Sequence, residues 1–180
     1  MSRHPELLIP ASSLEVLKTA VIFGADAVYI GGEVFGLRAK AKNFSHDDMK
    51  EGIAFAHEHG VRVHVTVNIL AHNRDLEGVR EYLKELKELG PDALIIADPA
   101  IFEMAKEICP EIERHVSTQA NNTNYGTYQS GGSREQSVWY LPENCRWQRS
   151  KRSVPISQKR WRLKALFMEQ CAFPIPEDAC

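Results

Sequence analysis

The side chains best placed to do chemistry gather where apolar runs end. Gly31 and Gly32 close the run DAVYIGG and open a loop, GGEVFGLRAKAKNF, with Arg38, Lys40 and Lys42 two apart and Asn43 and Phe44 at its far end. Backbone N–H groups beside a strand end, with a guanidinium as clamp, are the parts of an anion site. The same glycines would equally serve a solvated turn. Further on, Arg62, His64, Thr66 and Asn68 alternate with Val61, Val63, Val65 and Val67, which gives a strand one polar and one apolar face. His115, Ser117 and Gln119 repeat the habit against Val116 and Thr118, and Tyr29 falls on the comparable face of the run before. Asp98 ends the run DALIIAD ahead of Pro99, where a carboxylate is either a general base or a helix cap.

Other candidates dissolve on spacing. His57 and His59 sit two apart on a helix and so face differently; no HExxH is present, and no Cys lies near. No metal site is expected. Ser117 lacks a GxSxG context, and Cys109 before Pro110 reads as structural. No P-loop, dinucleotide fingerprint or CxxC occurs, so catalytic residues stay unassigned.

These residues need elements to hold them. LLIPA predicts a first strand, and Ser12 or Ser13 caps a helix with Leu14, Leu17, Val21 and Ile22 on one face, stopped by Gly24. DAVYIGG is the second strand. Ser45 and Asp48 resemble a capping box for a helix carrying Met49, Ile53 and Phe55 and ended by Gly60. VRVHVTVNIL is the third strand. A helix through Leu76, Val79, Leu83 and Leu86 ends at Gly90, and DALIIADP, Ala100–Ile108 and IERHVSTQ supply a strand, a helix and a fifth strand. Such α/β alternation means a parallel sheet, either a (β/α) barrel or a doubly wound sheet. The two-faced third strand favours the barrel, its polar side chains (His64 among them) pointing inward as a ligand-lined interior. Barrel sites lie at the C-terminal ends of strands, which nominates Gly31, Gly32, Asn68, Asp98, Gln119 and Asn121. It is a partial TIM-like barrel, about four βα units plus a fifth strand, because a whole one takes roughly 250 residues. Its open sheet edges invite self-association.

The chain has 180 residues and a net charge of -2, too balanced to make nucleic acid or an acidic membrane the main partner. No apolar run approaches the roughly 20 residues of a membrane helix. The four Cys form no disulfide framework, and the expected location is the cytoplasm. The average conceals a boundary after Gln129. Beyond it lie all three Trp, three of the four Cys, and nine of the 22 Lys/Arg against five of the 24 Asp/Glu, which leaves residues 1–129 at -6 and the tail at +4. Residues 130–180 show neither a strand nor a helix period, and a poorly packed tail is expected there.

ELLIPASSLEVLKTAVIFGADAVYIGG, FGLRAKAKNFS, VHVTVNIL and HVSTQANNTN together resemble the N-terminal part of peptidase family U32, the collagenase-like proteases, over about residues 6–128. The resemblance implies a TIM-barrel-like domain and a substrate site at the positions on the recurring strings: the Gly31-Gly32 turn, Arg38, Asn43, Phe44, Asn68, Ser117, Gln119 and Asn121. Members are described as peptidases. Others act in oxygen-independent hydroxylation of tRNA, rRNA or ubiquinone precursors, several with an iron–sulfur cluster on downstream cysteines. The family's hallmark, HGAMCxSYSGRC, is absent where it should follow.

Reading the tail's codons one base earlier restores it. Met168 followed by Glu169 can then give only Gly, and Trp161–Cys180 reads MEIEGFVHGAMCISYSGRCL under permissible codon choices. A single-base deletion just after the Gln129 codon would make residues 130–180 an out-of-frame translation, with Cys171 and Cys180 coincidental. On this reading the chain carries no cofactor and is an inactive N-terminal fragment of a U32-type peptidase, the parent taking a peptide or small anionic substrate. The alternative within the family is an iron–sulfur-dependent hydroxylation protein, through which nucleic acid would enter as a partner. A ligand-binding half barrel without catalysis, or RNA binding through the basic tail with Trp147 and Trp161 for stacking, are readings of other classes.

Overall fold

The computed structural model describes residues 6–36 and 43–120, and beyond them the backbone of two short strands, Val138–Leu141 and Arg162–Ala165. In order these form β1 (Leu8–Pro10), α1 (Leu14–Ile22), β2 (Ala27–Gly31), α2 (His46–Glu58), β3 (Arg62–Val67), α3 (Leu76–Leu89), β4 (Ala93–Ile96), α4 (Pro99–Ile108), β5 (Glu113–Val116), β6 (Val138–Leu141) and β7 (Arg162–Ala165). All pairs are parallel and the spatial order is β1-β2-β3-β4-β5-β6-β7. Sequential order decides between the two architectures. A doubly wound sheet reverses direction at a switch point, whereas right-handed crossovers that never reverse lay every helix on one face and curl the sheet toward a barrel.

Local chemistry sets the helix limits as the sequence indicates. Ser13 caps α1 by accepting the Val16 N–H, and Ser45 and Asp48 close a reciprocal capping box on α2. Gly90 ends α3 in the left-handed region at φ 68°, a conformation that costs a side-chain-bearing residue about 1–2 kcal/mol. The core lies between sheet and helices. Val63, Val65 and Val67 are fully buried on the helix-facing side of β3, and Leu17, Ile53, Leu83, Leu86 and Ile101 meet that side from α1 to α4. Each such leucine or isoleucine contributes about 1.5–3 kcal/mol by leaving water.

Some expectations need adjustment. Ile22 is exposed rather than on the buried face: in the same turn Ala20 and Val21 are buried, and Ile22, one residue on, turns outward. The fifth strand stops at Val116, and Thr118–Ala120 turn into a 3-10 segment. β6 and β7 lie in the stretch where no strand period was legible; they continue the existing sheet rather than build a second one. The rest of residues 130–180, on which the expectation of a poorly packed tail rests, falls outside the described residues.

Candidate functional site

The C-terminal ends of β2 to β5 converge on one face, and the polar face of the sheet runs down from it. Gly31 pairs in register with Thr66, and Tyr29 with His64. A Cβ at Gly31 would come 3.2 Å from the Thr66 Oγ1 and 3.6 Å from the Asn43 Oδ1, so these two oxygens close over the bare backbone. Asn43 and Asn68 are half-buried near this end, and Tyr29 is half-buried one layer deeper, level with His64. Gly31, Thr66 and Asn43 therefore lie together at this end of the sheet.

Gly32 is a packing glycine. A Cβ there would overlap the buried Tyr82 hydroxyl, which reaches in from α3 with the Met49 Sδ at 4.0 Å. Desolvation raises the Tyr82 pKa, with Glu85 pushing the same way. Phe35 follows in a left-handed conformation (φ 60°) that few aromatic residues adopt. Its ring lies 5.6 Å from that of Tyr82 and over Gly78, where a Cβ would come 2.9 Å from Phe35 Cζ. The first half of the β2–α2 loop is thus pinned to α3. Nothing in the 3.6-residue pattern of α3 singles out Tyr82 or Gly78 for this role.

His64 lies at the middle of the polar face and is 1% exposed. Its ring meets that of His115 edge-on at 4.8 Å between centroids, and His115 Nε2 sits 3.1 Å from Glu113 Oε2. The two histidines come from alternate strands, as side chains in one barrel layer do. Sequence reasoning named His64 and saw His115 in the alternation, but not their contact. The interior at this level is a packed polar layer rather than an open lumen.

Asp98 is occupied as a cap. Its Oδ1 accepts the Ala100 and Ile101 N–H groups at 2.7 and 3.3 Å, and Oδ2 accepts the Ala71 N–H at 3.3 Å. Ser117 is buried, with its Oγ accepting the Gln119 N–H at 3.2 Å, and Gln119 is exposed. Among the described residues, neither Ser117 nor Cys109 has a base positioned to activate it. Cys109 donates its thiol to the Ala105 carbonyl at 3.2 Å, and burial, aided by Glu111, pushes its pKa up to about 11. That is the opposite of the thiolate that a nucleophile or metal ligand requires. No group of three or more His, Cys, Asp or Glu among the described residues could hold a metal, so an iron–sulfur cluster does not fit them. Arg38 and Asn121 lie outside the described residues.

A parallel βα sheet of barrel type, polar on its concave side and carrying side chains at its strand ends, is the class this chain falls in. Peptidase family U32 matches residues 12–134, and the chain belongs to that family. It is 44% identical over 129 residues to the tRNA hydroxylation protein P1 of Bacillus subtilis, covering 72% of this chain and 31% of that one. It is 42% identical over 120 residues to the 23S rRNA 5-hydroxycytidine C2501 synthase of Escherichia coli, covering 67% and 18%. The chain thus spans about a third or less of the length of these relatives. Among solved structures it superposes on the U32 peptidase Mk0906 with a TM-score of 0.74 and 14% identity, covering 92% of this chain and 69% of that one, a likeness of fold. No helix among the described residues is long and apolar enough to cross a membrane.

Proposed function

We propose that this chain is the N-terminal barrel portion of a U32 protein that acts in RNA hydroxylation, with tRNA as the first candidate substrate. The observation that carries the reading is the 44% identity to a tRNA hydroxylation protein, seconded by the 42% identity to an rRNA hydroxycytidine synthase. The peptidase reading, placed first on the sequence alone, is the weaker one. Hydrolysis needs an activated nucleophile or a metal-bound water, and the described residues offer a sequestered thiol, a backbone-bound Ser117 and a capping Asp98. To the described part of the barrel we assign binding, through Gly31, Asn43, Thr66 and Asn68.

The same proposal takes residues 130–180 as read out of frame. The family match ends at residue 134, within five residues of the break in composition after Gln129. The test uses a bacterium deprived of its own tRNA hydroxylation proteins. It receives either the gene as it stands or the gene with one base restored after the Gln129 codon, and tRNA nucleosides are weighed by mass spectrometry. Gain of one oxygen with the restored gene alone is the expected result. Cleavage of gelatin or a peptide library by the restored product, with no change in the nucleosides, would reinstate the peptidase.

A further inference from the structure

The turn from Gly31 to Gly36 doubles back on itself. A Cβ at Gly31 would come 3.2 Å from the Thr66 Oγ1, and a Cβ at Gly36 would come 3.7 Å from the same atom. Two glycines thus crowd one hydroxyl, which donates to the Ile30 carbonyl at 3.2 Å. The far end of the loop is tied to the same spot. The Phe44 N–H donates to the Gly31 carbonyl at 3.0 Å, and Gly32 forms a parallel bridge with Phe44. Between the two glycines Glu33 and Val34 are exposed, and Phe35 is the side chain that turns in against the core.

The contact that holds Phe35 breaks two local rules. Among the described residues Phe35 is the one non-glycine with a positive φ, at 60°, a conformation that disfavours any side chain with a Cβ and a bulky one most. Gly78 stands in the first turn of α3, and glycine is a poorer helix former than every residue but proline. Each is unfavourable by itself, and the two make sense together. The Phe35 ring lies over Gly78, where a Cβ would come 2.9 Å from its Cζ, and packs against Tyr82 at 5.6 Å between centroids. Local stability would be served better by glycine at 35 and alanine at 78. Strain kept against both preferences marks a backbone that must be held in one form.

We propose that Phe35 is a positioning residue: seated on Gly78 and Tyr82, its ring holds the Gly31–Gly36 backbone over Thr66 in the form that receives RNA. The inference rests on the RNA-hydroxylation reading and adds to it the device that shapes the binding end of the sheet. Preorganising a binding backbone in this way raises affinity by sparing the cost of ordering it on contact.

The test measures three things on the full chain and its variants: affinity for a labelled tRNA, hydrogen exchange at the Phe44 N–H, and melting temperature. Phe35→Gly removes the ring and relieves the left-handed strain. Gly78→Ala favours the helix and pushes the ring off its seat. Each should weaken tRNA binding about 10-fold or more and speed exchange at Phe44 by a similar factor. Melting temperatures should move by less than about 3 °C, because relief of the two local penalties offsets the lost contact. The double variant should bind no more weakly than either single one, since both remove the same contact. Phe35→Leu in the Gly78→Ala background should recover most of the affinity, because a shorter side chain makes room for the methyl group. Losses that add in the double variant would overturn the inference. So would losses that come only with a fall in melting temperature and faster exchange throughout the sheet, for the ring would then be ordinary packing. The two levels fail separately. Wild-type affinity in both single variants removes the positioning role and leaves the RNA reading standing, whereas no affinity of the unaltered chain for tRNA overturns both.

Discussion

Residues 6–120 and residues 130–180 obey different rules. In the first stretch every level agrees: caps, left-handed glycines, helix periodicity and the two-faced β3 all call for the same βα units, and those units close one apolar layer. In the second, two four-residue strands join the sheet although the sequence around them has no period, an unusual load of Trp and Cys, and charge of the opposite sign. Agreement across levels is what selection for a fold leaves behind. The strands themselves do not decide the reading frame. Side chains decide it, and substitution reads side chains.

The largest contrast should appear between matched truncations. Leu83→Ala removes a fully buried side chain of α3 and should cost about 2–5 kcal/mol in chemical denaturation. If residues 130–180 are read out of frame as proposed, Leu163→Ala, in β7, should cost less than about 0.5 kcal/mol, as substitutions away from a selected core do. Equal costs would show the tail to be part of a selected core and would remove the case for a shifted frame.

Next in size is the contact between Gly32 and Tyr82. Gly32→Ala should destabilise by about 1–3 kcal/mol through overpacking. Tyr82→Phe should be nearly neutral, since among the described residues the hydroxyl's hydrogen-bond partner is a sulfur at 4.0 Å, and the double variant should recover part of the loss. Strict additivity of the two would mean that Gly32 is needed for its turn rather than for the approach of Tyr82.

Much of this was legible in advance, and the part that was not has a common cause. Local signals carried the caps at Ser13 and Ser45, the stops at Gly24, Gly60 and Gly90, and the polar alternation through His64 and Thr66. Asp98 showed both of its readings in sequence, and only the three N–H groups around it identify the cap. Contacts between distant elements left no local trace. The Gly32–Tyr82 approach spans 50 positions, and the His64–His115 pair joins strands separated by another strand.

The effect of Cys109 appears only as pH is varied. Its folded thiol holds its proton up to about 11, whereas an unfolded one releases it near 9.0. The folded state thus binds the proton more tightly, so this contribution to stability is complete below about 9 and is lost as pH rises towards about 11. Cys109→Ala should flatten that part of the curve while lowering stability modestly at neutral pH, because the small cavity it leaves is independent of pH. Alkylation by iodoacetamide at pH 8 should follow opening of the α4–β5 turn rather than the chemistry of a free thiol. Rapid alkylation of folded protein at that pH would mean that Cys109 is neither sealed nor suppressed. It would also return the question of a nucleophile to residues 6–120, where the comparison with the tail began.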